Sequence, residues 1–280
     1  VNIIKGEDRV GYDVNGDKFA NDSTQPKNKI DFIVNSSETQ TEPAQVNKTP
    51  EFHDKKLINT KKHDANFATD ALYGLPNSLI LLFSETVSLV RSKIYHQDTY
   101  RTVPEAFALE VETLGKKLKL WKLDWILYEG QENNTEGNIA EESKKFLSLM
   151  HEATYHHIMS FYYALYIYFH KLVEEKPVDE VQNLVKKTLM HLNSIQVLIG
   201  QDKAAIIPLF WQGFIAGCEA ISEELQQGFK KWGADIAQYL GSYWGARQIM
   251  LEVWRRKRMH EVRDDWVSVI QDWEMNLMLN

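Results

Sequence analysis

From Leu72 onward, apolar positions recur every three or four residues, whereas the first seventy positions show no sustained period. Leu79, Leu82, Phe83, Val87, Val90 and Ile94 fall on one stripe. That stripe predicts a helix over 77–96, entered from a turn at 73–78 and capped by Asn77 or Ser78. Pro104 opens a second helix over 104–121, with Phe107, Val111, Leu114, Leu118 and Trp121 inward. The Gly- and Asn-rich stretch 129–138 reads as an exposed loop. A long helix follows over 140–174. It is amphipathic at first and apolar nearly all round from Tyr155, which predicts that it enters the centre of the domain. Pro177 stops it. A helix over 179–199, capped by Asp179, turns Val181, Leu184, Val185, Leu189, Leu192 and Ile195 inward, and Gly200 ends it. Further helices are expected over 206–224, 235–258 and 262–276. The fold class is therefore all-α: an antiparallel helical domain of about seven helices over 71–280, preceded by a mostly irregular polar arm over 1–70.

The stretch 206–224, IIPLFWQGFIAGCEAISEE, stands out within this pattern. Bulky residues give way to Ala216, Gly217, Cys218 and Ala220, so the predicted buried helix has a thin waist. Glu219 is an acid in this apolar surrounding. Burying it unpaired costs several kcal/mol, of order 3–5. It is exposed at the helix edge, paired with a base such as Arg247, Arg91 or Lys203, or a ligand group.

Composition narrows the classes. The 280 residues include eight Trp, twelve Phe and twelve Tyr, enough to fill a large core. The net charge of −7 argues against nucleic-acid binding by bulk electrostatics. A single cysteine, Cys218, excludes a disulfide framework and a Cys-based zinc module within the chain. The most apolar run, 155–169, is broken by His156, His157 and Ser160 and is shorter than the roughly 20 residues a bilayer needs. No membrane role is expected.

Candidate catalytic and metal motifs fall away on spacing. In His151-Glu152-Ala153-Thr154-Tyr155-His156 the second histidine stands at i+5, off the face that a zinc-binding pair at i and i+4 would share. Asp13, Asn15 and Asp17 resemble the start of a calcium loop, but the glycine and the terminal glutamate are misplaced. No nucleophile elbow or phosphate loop occurs, so neither an enzyme nor a cofactor is expected. The basic cluster 255–258 has three readings: neutralising its helix end, pairing with acids such as Glu261 and Asp264, or forming an import or nucleic-acid patch. The first two together are the expectation.

Three phrases, in order, carry a family resemblance. Tyr73-Gly74-Leu75-Pro76-Asn77-Ser78-Leu79 opens the helical part. Pro208-Leu209-Phe210-Trp211 is followed by Phe214-Ile215-Ala216-Gly217-Cys218-Glu219-Ala220. Leu251-Glu252-Val253-Trp254-Arg255-Arg256 then leads to Trp266. Together they resemble the regulatory domain of fungal-specific transcription factors, which lies C-terminal to a binuclear zinc-cysteine DNA-binding module. The resemblance implies a nuclear, all-α domain that relays a metabolic signal. It also implies DNA contact only through a module absent from this chain, MADS-box-type co-regulators as partners, and a possible homodimer. The effector it points to is L-arginine. A guanidinium wants a carboxylate and an aromatic face, and an α-carboxylate wants a cation. On that chemistry Trp211, Glu219, Glu223, Trp244 and Arg247 are the candidate ligand residues, with Glu110 and Asp124 beside Trp121 and Trp125 as a second group. The alternative is a purely structural helical scaffold for partner proteins.

Overall fold

The computed structural model describes residues 74–130, 145–201, 208–237 and 243–275. The polar arm and its calcium-like residues lie outside them. Eight helices are found among the described residues. They are α1 (Asn77–Tyr100), α2 (Glu105–Leu120), α3 (Leu149–Leu172), α4 (Val178–Gly200), α5 (Phe210–Cys218), α6 (Glu223–Ile236), α7 (Tyr243–Arg258) and α8 (Trp266–Asp272). One isolated antiparallel bridge, Tyr128 with Phe146, is the extended pairing they contain.

Prolines set the starts of three helices. Pro76, Pro104 and Pro177 stand immediately before α1, α2 and α4, with φ near −60°. No side chain caps these helices, which corrects the expected capping by Asn77, Ser78 or Asp179. The proline carbonyls accept the first N–H groups instead, as Pro76 does from Leu79 and Ile80. Ser78 Oγ is free for another task and accepts the Trp121 indole N–H at 3.1 Å.

The helix expected to begin at 140 begins at Leu149. Residues 145–147 are extended because Glu129 N–H bonds Lys145 O, and Leu147 N–H bonds Leu127 O. Ser148 then caps α3 by accepting the His151 N–H. From there α3 is buried on almost every side, as its apolar run predicts. It pairs with α4 through the short turn after Leu172, and α5 crosses both. The α1–α2 pair is a second antiparallel hairpin, bridged by Lys117 and Glu85 at 2.7 Å.

At position 94 the expected stripe of α1 fails: Ile94 is exposed and Lys93 is buried. Lys93 Nζ donates to the carbonyls of Leu172 and Val173 at 3.0 and 2.9 Å and pairs with Glu175 at 2.7 Å. A cation there satisfies the orphan carbonyls at the end of α3 and opposes that helix's negative pole. The other end of α1 is held by rings: Phe83 meets Phe161 and Trp211 edge-on at 5.5 and 5.1 Å.

The stretch 206–224 is not one helix. α5 ends at Cys218, and Ser222 starts α6 by accepting the Leu225 N–H. Glu223 and Glu224 fill the first turn of α6, where carboxylates oppose the positive helix pole. This split accounts for the eighth helix, and α7 accordingly begins at Tyr243 instead of 235. α6 runs parallel to α4. Gln182 meets Ile221 just before α6 begins, and Leu189 packs at Gly228 further along.

The thin waist is real, and Gly213 belongs to it. A Cβ built on Gly213 would fall inside the Trp232 ring, and one on Gly217 would strike Met250 Sδ. Gly213→Ala is therefore expected to destabilise the chain by about 1–3 kcal/mol or more, the range for overpacking. Gly200 faces open space at the end of α4, so Gly200→Ala leaves stability unchanged or raises it by up to about 1 kcal/mol. Urea unfolding of the two variants beside the wild type checks both expectations.

Candidate functional site

All nine residues of α5 are buried, and its neighbours are α3, α4, α6 and α7. Its Trp211 packs on Phe161 at 4.8 Å and reaches Tyr168 at 5.9 Å. Its Phe210 stacks on Trp232 at 5.5 Å and meets Tyr243 edge-on at 5.1 Å. Gln212 points to α3, within 3.4 Å of His157 Nδ1 and 3.3 Å of Ser160 Oγ.

A helix that ends inside a core must find donors for its last carbonyls. Three side chains from other helices supply them. Trp254 Nε1 donates to Gly217 O, Lys257 Nζ to Cys218 O, and Gln182 Nε2 to Glu219 O, each at 2.8 Å. Lys257 also pairs with the Glu219 carboxylate at 2.9 Å, and Glu219 is only 2% exposed. The partner of Glu219 is thus Lys257, not the expected Arg247 or Arg91, and Lys203 lies outside the described residues. One ammonium serves both a carbonyl and a carboxylate, so neither is buried alone. Beside them Cys218 is fully buried. Burial pushes its thiol well up, the neighbouring Glu219 carboxylate adds to this, and the Lys257 ammonium partly opposes it.

Two more basic residues of 255–258, Arg255 and Arg256, also work within the domain, while Arg258 is exposed. Arg255 grips Glu252 at 2.8 Å and Glu261 at 2.8 Å. Arg256 is buried and bonds Glu252 at 2.9 Å, Asp272 at 2.7 Å and the Arg263 carbonyl at 2.9 Å. The expected pairing with Glu261 is present; Glu252 and Asp272 take the place of Asp264. The Arg255 guanidinium, with Arg256 assisting, holds the Glu252 carboxyl down at about 2.

The five candidate ligand residues do not share one cavity. Trp211 lies in the core at the start of α5. Glu219 sits just beyond its end, in the ion pair with Lys257. Glu223 is exposed at the start of α6. Trp244 is 61% exposed, and Arg247 lies over its ring at 5.4 Å, so these two are brought together. In the second group, Trp121 is stacked on Tyr162 at 4.9 Å, while Glu110 and Asp124 are exposed. Sequence reasoning missed Lys257, Trp254 and Gln182. A signal was available: Met250, Trp254 and Lys257 stand at i, i+4 and i+7, one face of α7, which separates Lys257 from its outward-facing neighbours.

His151 Nδ1 is 2.6 Å from Ser148 Oγ, and His156 Nδ1 is 2.7 Å from His191 Nδ1. Among the described residues no group of three or more His, Cys, Asp or Glu is placed to bind an ion, and no helix is long and apolar enough to cross a membrane.

Residues 32–278 match the family model of the fungal specific transcription factor domain, and the chain belongs to that family of transcription regulators, not to an enzyme class. A relative is Arginine metabolism regulation protein II of Saccharomyces cerevisiae (strain ATCC 204508 / S288c), 48% identical over 227 residues. The matched part is 80% of this chain and 24% of the relative, so the chain spans about a quarter of that protein's length. No solved structure matches.

Lys257→Met leaves Glu219 buried without its partner and is expected to cost about 3–5 kcal/mol. Lys257→Met combined with Glu219→Leu recovers much of that loss, which denaturant unfolding measures. Glu252 gives a pH signature. Its folded-state carboxyl titrates at about 2 against an ordinary 4.5. Its contribution to stability is therefore complete above pH 4.5 and is lost as pH falls toward 2. The melting-temperature gap between wild type and Glu252→Gln is expected to hold steady from neutral pH to about 5 and to close below 4.5.

Proposed function

We propose that this chain is the effector-response domain of a nuclear transcription factor controlling genes of arginine metabolism, and that it reads L-arginine directly. The observation that carries this reading is the 48% identity to the yeast arginine metabolism regulation protein over 227 residues. The three signature phrases support it, because each occupies a structural joint of the domain. The first enters α1, the second forms α5, and the third supplies the Trp254 that caps α5. On this reading, DNA is reached through a zinc-cysteine module outside the chain. Co-regulators of the MADS-box type, and a second copy of the chain, are its protein partners.

A scaffold that only holds other proteins is the competing reading. Exposed Leu109, Leu120 and Trp244, at 67, 74 and 61%, favour it. Thermal unfolding of the 280-residue chain with and without L-arginine separates the two. Ligand at 100 times its dissociation constant adds about 2.7 kcal/mol of stability. A melting temperature that rises with L-arginine, and not with leucine, is the expected result. An unchanged value at millimolar L-arginine refutes direct sensing and leaves the scaffold.

A further inference from the structure

Away from α5, the α1–α2 hairpin frames an open groove of about 590 Å³. That is within the range of small-molecule sites, about 300–1,000 Å³. Its floor is apolar: Leu89 and Leu114 are buried there. Its walls are polar. Ser84, Ser88 and Ser92 line it at four-residue steps along α1, with Thr113 opposite on α2. Thr86, on the buried side of α1, donates its hydroxyl back to Leu82 O at 2.7 Å. None of the four groove hydroxyls makes such a bond among the described residues, so they remain available.

Three charges complete the lining: Glu85, Glu110 and Lys117. Lys117 reaches across to Glu85 at 2.7 Å, with the two side chains 49% and 46% exposed. An ion pair that open to water exchanges partners at little cost. Glu110 has no ion-pair partner among the described residues. Two carboxylates against one ammonium leave the groove at a formal charge of −1, the complement of a zwitterion that carries one extra cation.

We propose that this groove is the binding site of the effector, and that it takes a free amino acid with a cationic side chain. The proposal rests on the reading of the domain as arginine-responsive and gives that response a place. The side-chain cation sits on Glu110, which a planar guanidinium engages through two parallel hydrogen bonds. The α-carboxylate takes Lys117, the α-ammonium takes Glu85, and the aliphatic stem lies on Leu89 and Leu114. The hydroxyls of Ser88 and Thr113 serve the remaining donors and acceptors. Agmatine lacks the carboxylate that Lys117 would hold, and citrulline lacks the cation that Glu110 would hold. Both are expected to bind at least tenfold more weakly than L-arginine.

Isothermal titration of the 280-residue chain with L-arginine tests this. Glu110→Gln and Lys117→Met are each expected to weaken binding tenfold or more. Glu112→Gln, which removes an outward acid paired with Lys116, is expected to leave binding unchanged. Ser88→Trp fills the groove without altering its charge and is expected to abolish binding. Glu110 and Lys117 are exposed, so the melting temperatures of their variants without ligand should match the wild type and show that folding is intact. Wild-type affinity in both charge variants and in Ser88→Trp overturns the site while the arginine reading stands. A wild-type chain that binds no L-arginine overturns both.

Discussion

A helix that stops in the middle of a core leaves carbonyl oxygens with no partner of its own and no water to turn to. α5 is such a helix, and much of the domain's arrangement follows from how its end is satisfied. Gly217, Cys218 and Glu219 each receive a donor from another helix: Trp254 and Lys257 on α7, and Gln182 on α4. An apolar replacement of Lys257 or Gln182 would strand a buried acceptor, whereas Gly217 O also accepts the Ala220 N–H. The same positions bring Glu219 against Lys257, so a charge that would be intolerable alone becomes part of the join. α4, α5 and α7 are thus tied by polar contacts at one spot, and the small residues of α5 let the neighbouring side chains close in around it.

The broad outline was legible in the sequence because burial writes itself as periodicity. The apolar run of α3, the stripe of α4 and the start of α2 at Pro104 correspond to what is seen. Helix ends were harder to read, because they depend on which carbonyls and hydroxyls compete for the first N–H groups. Ser78 illustrates this. It has the chemistry of a cap, but the Trp121 indole, 43 positions away, claims its oxygen. The split of 206–224 was readable in principle, since Ser222 followed by two glutamates is a helix start of ordinary type. The long apolar run before it masked that signal.

The candidate site was legible only in part, for a related reason. Residue types suggest what a side chain can do, and tertiary partners decide what it does. Glu219 has the character of a ligand group and is occupied by Lys257. The 255–258 cluster has the composition of a nucleic-acid patch, yet three of its four basic residues are spent within the domain, Arg255 and Arg256 on Glu252, Glu261 and Asp272, and Lys257 on Glu219. Glu110, one candidate among several in the sequence, comes to line a groove with Ser84, Ser88 and Ser92 only when α1 folds against α2.

The nesting of the Trp232 ring over Gly213 has a consequence for descent. The missing side chain at one position is the volume occupied by the other, so neither residue can vary alone without either a clash or a void. Across related chains the two positions should behave as a single inherited character. Glycine should keep company with a large ring, and a bulkier residue at 213 should appear only where 232 has shrunk.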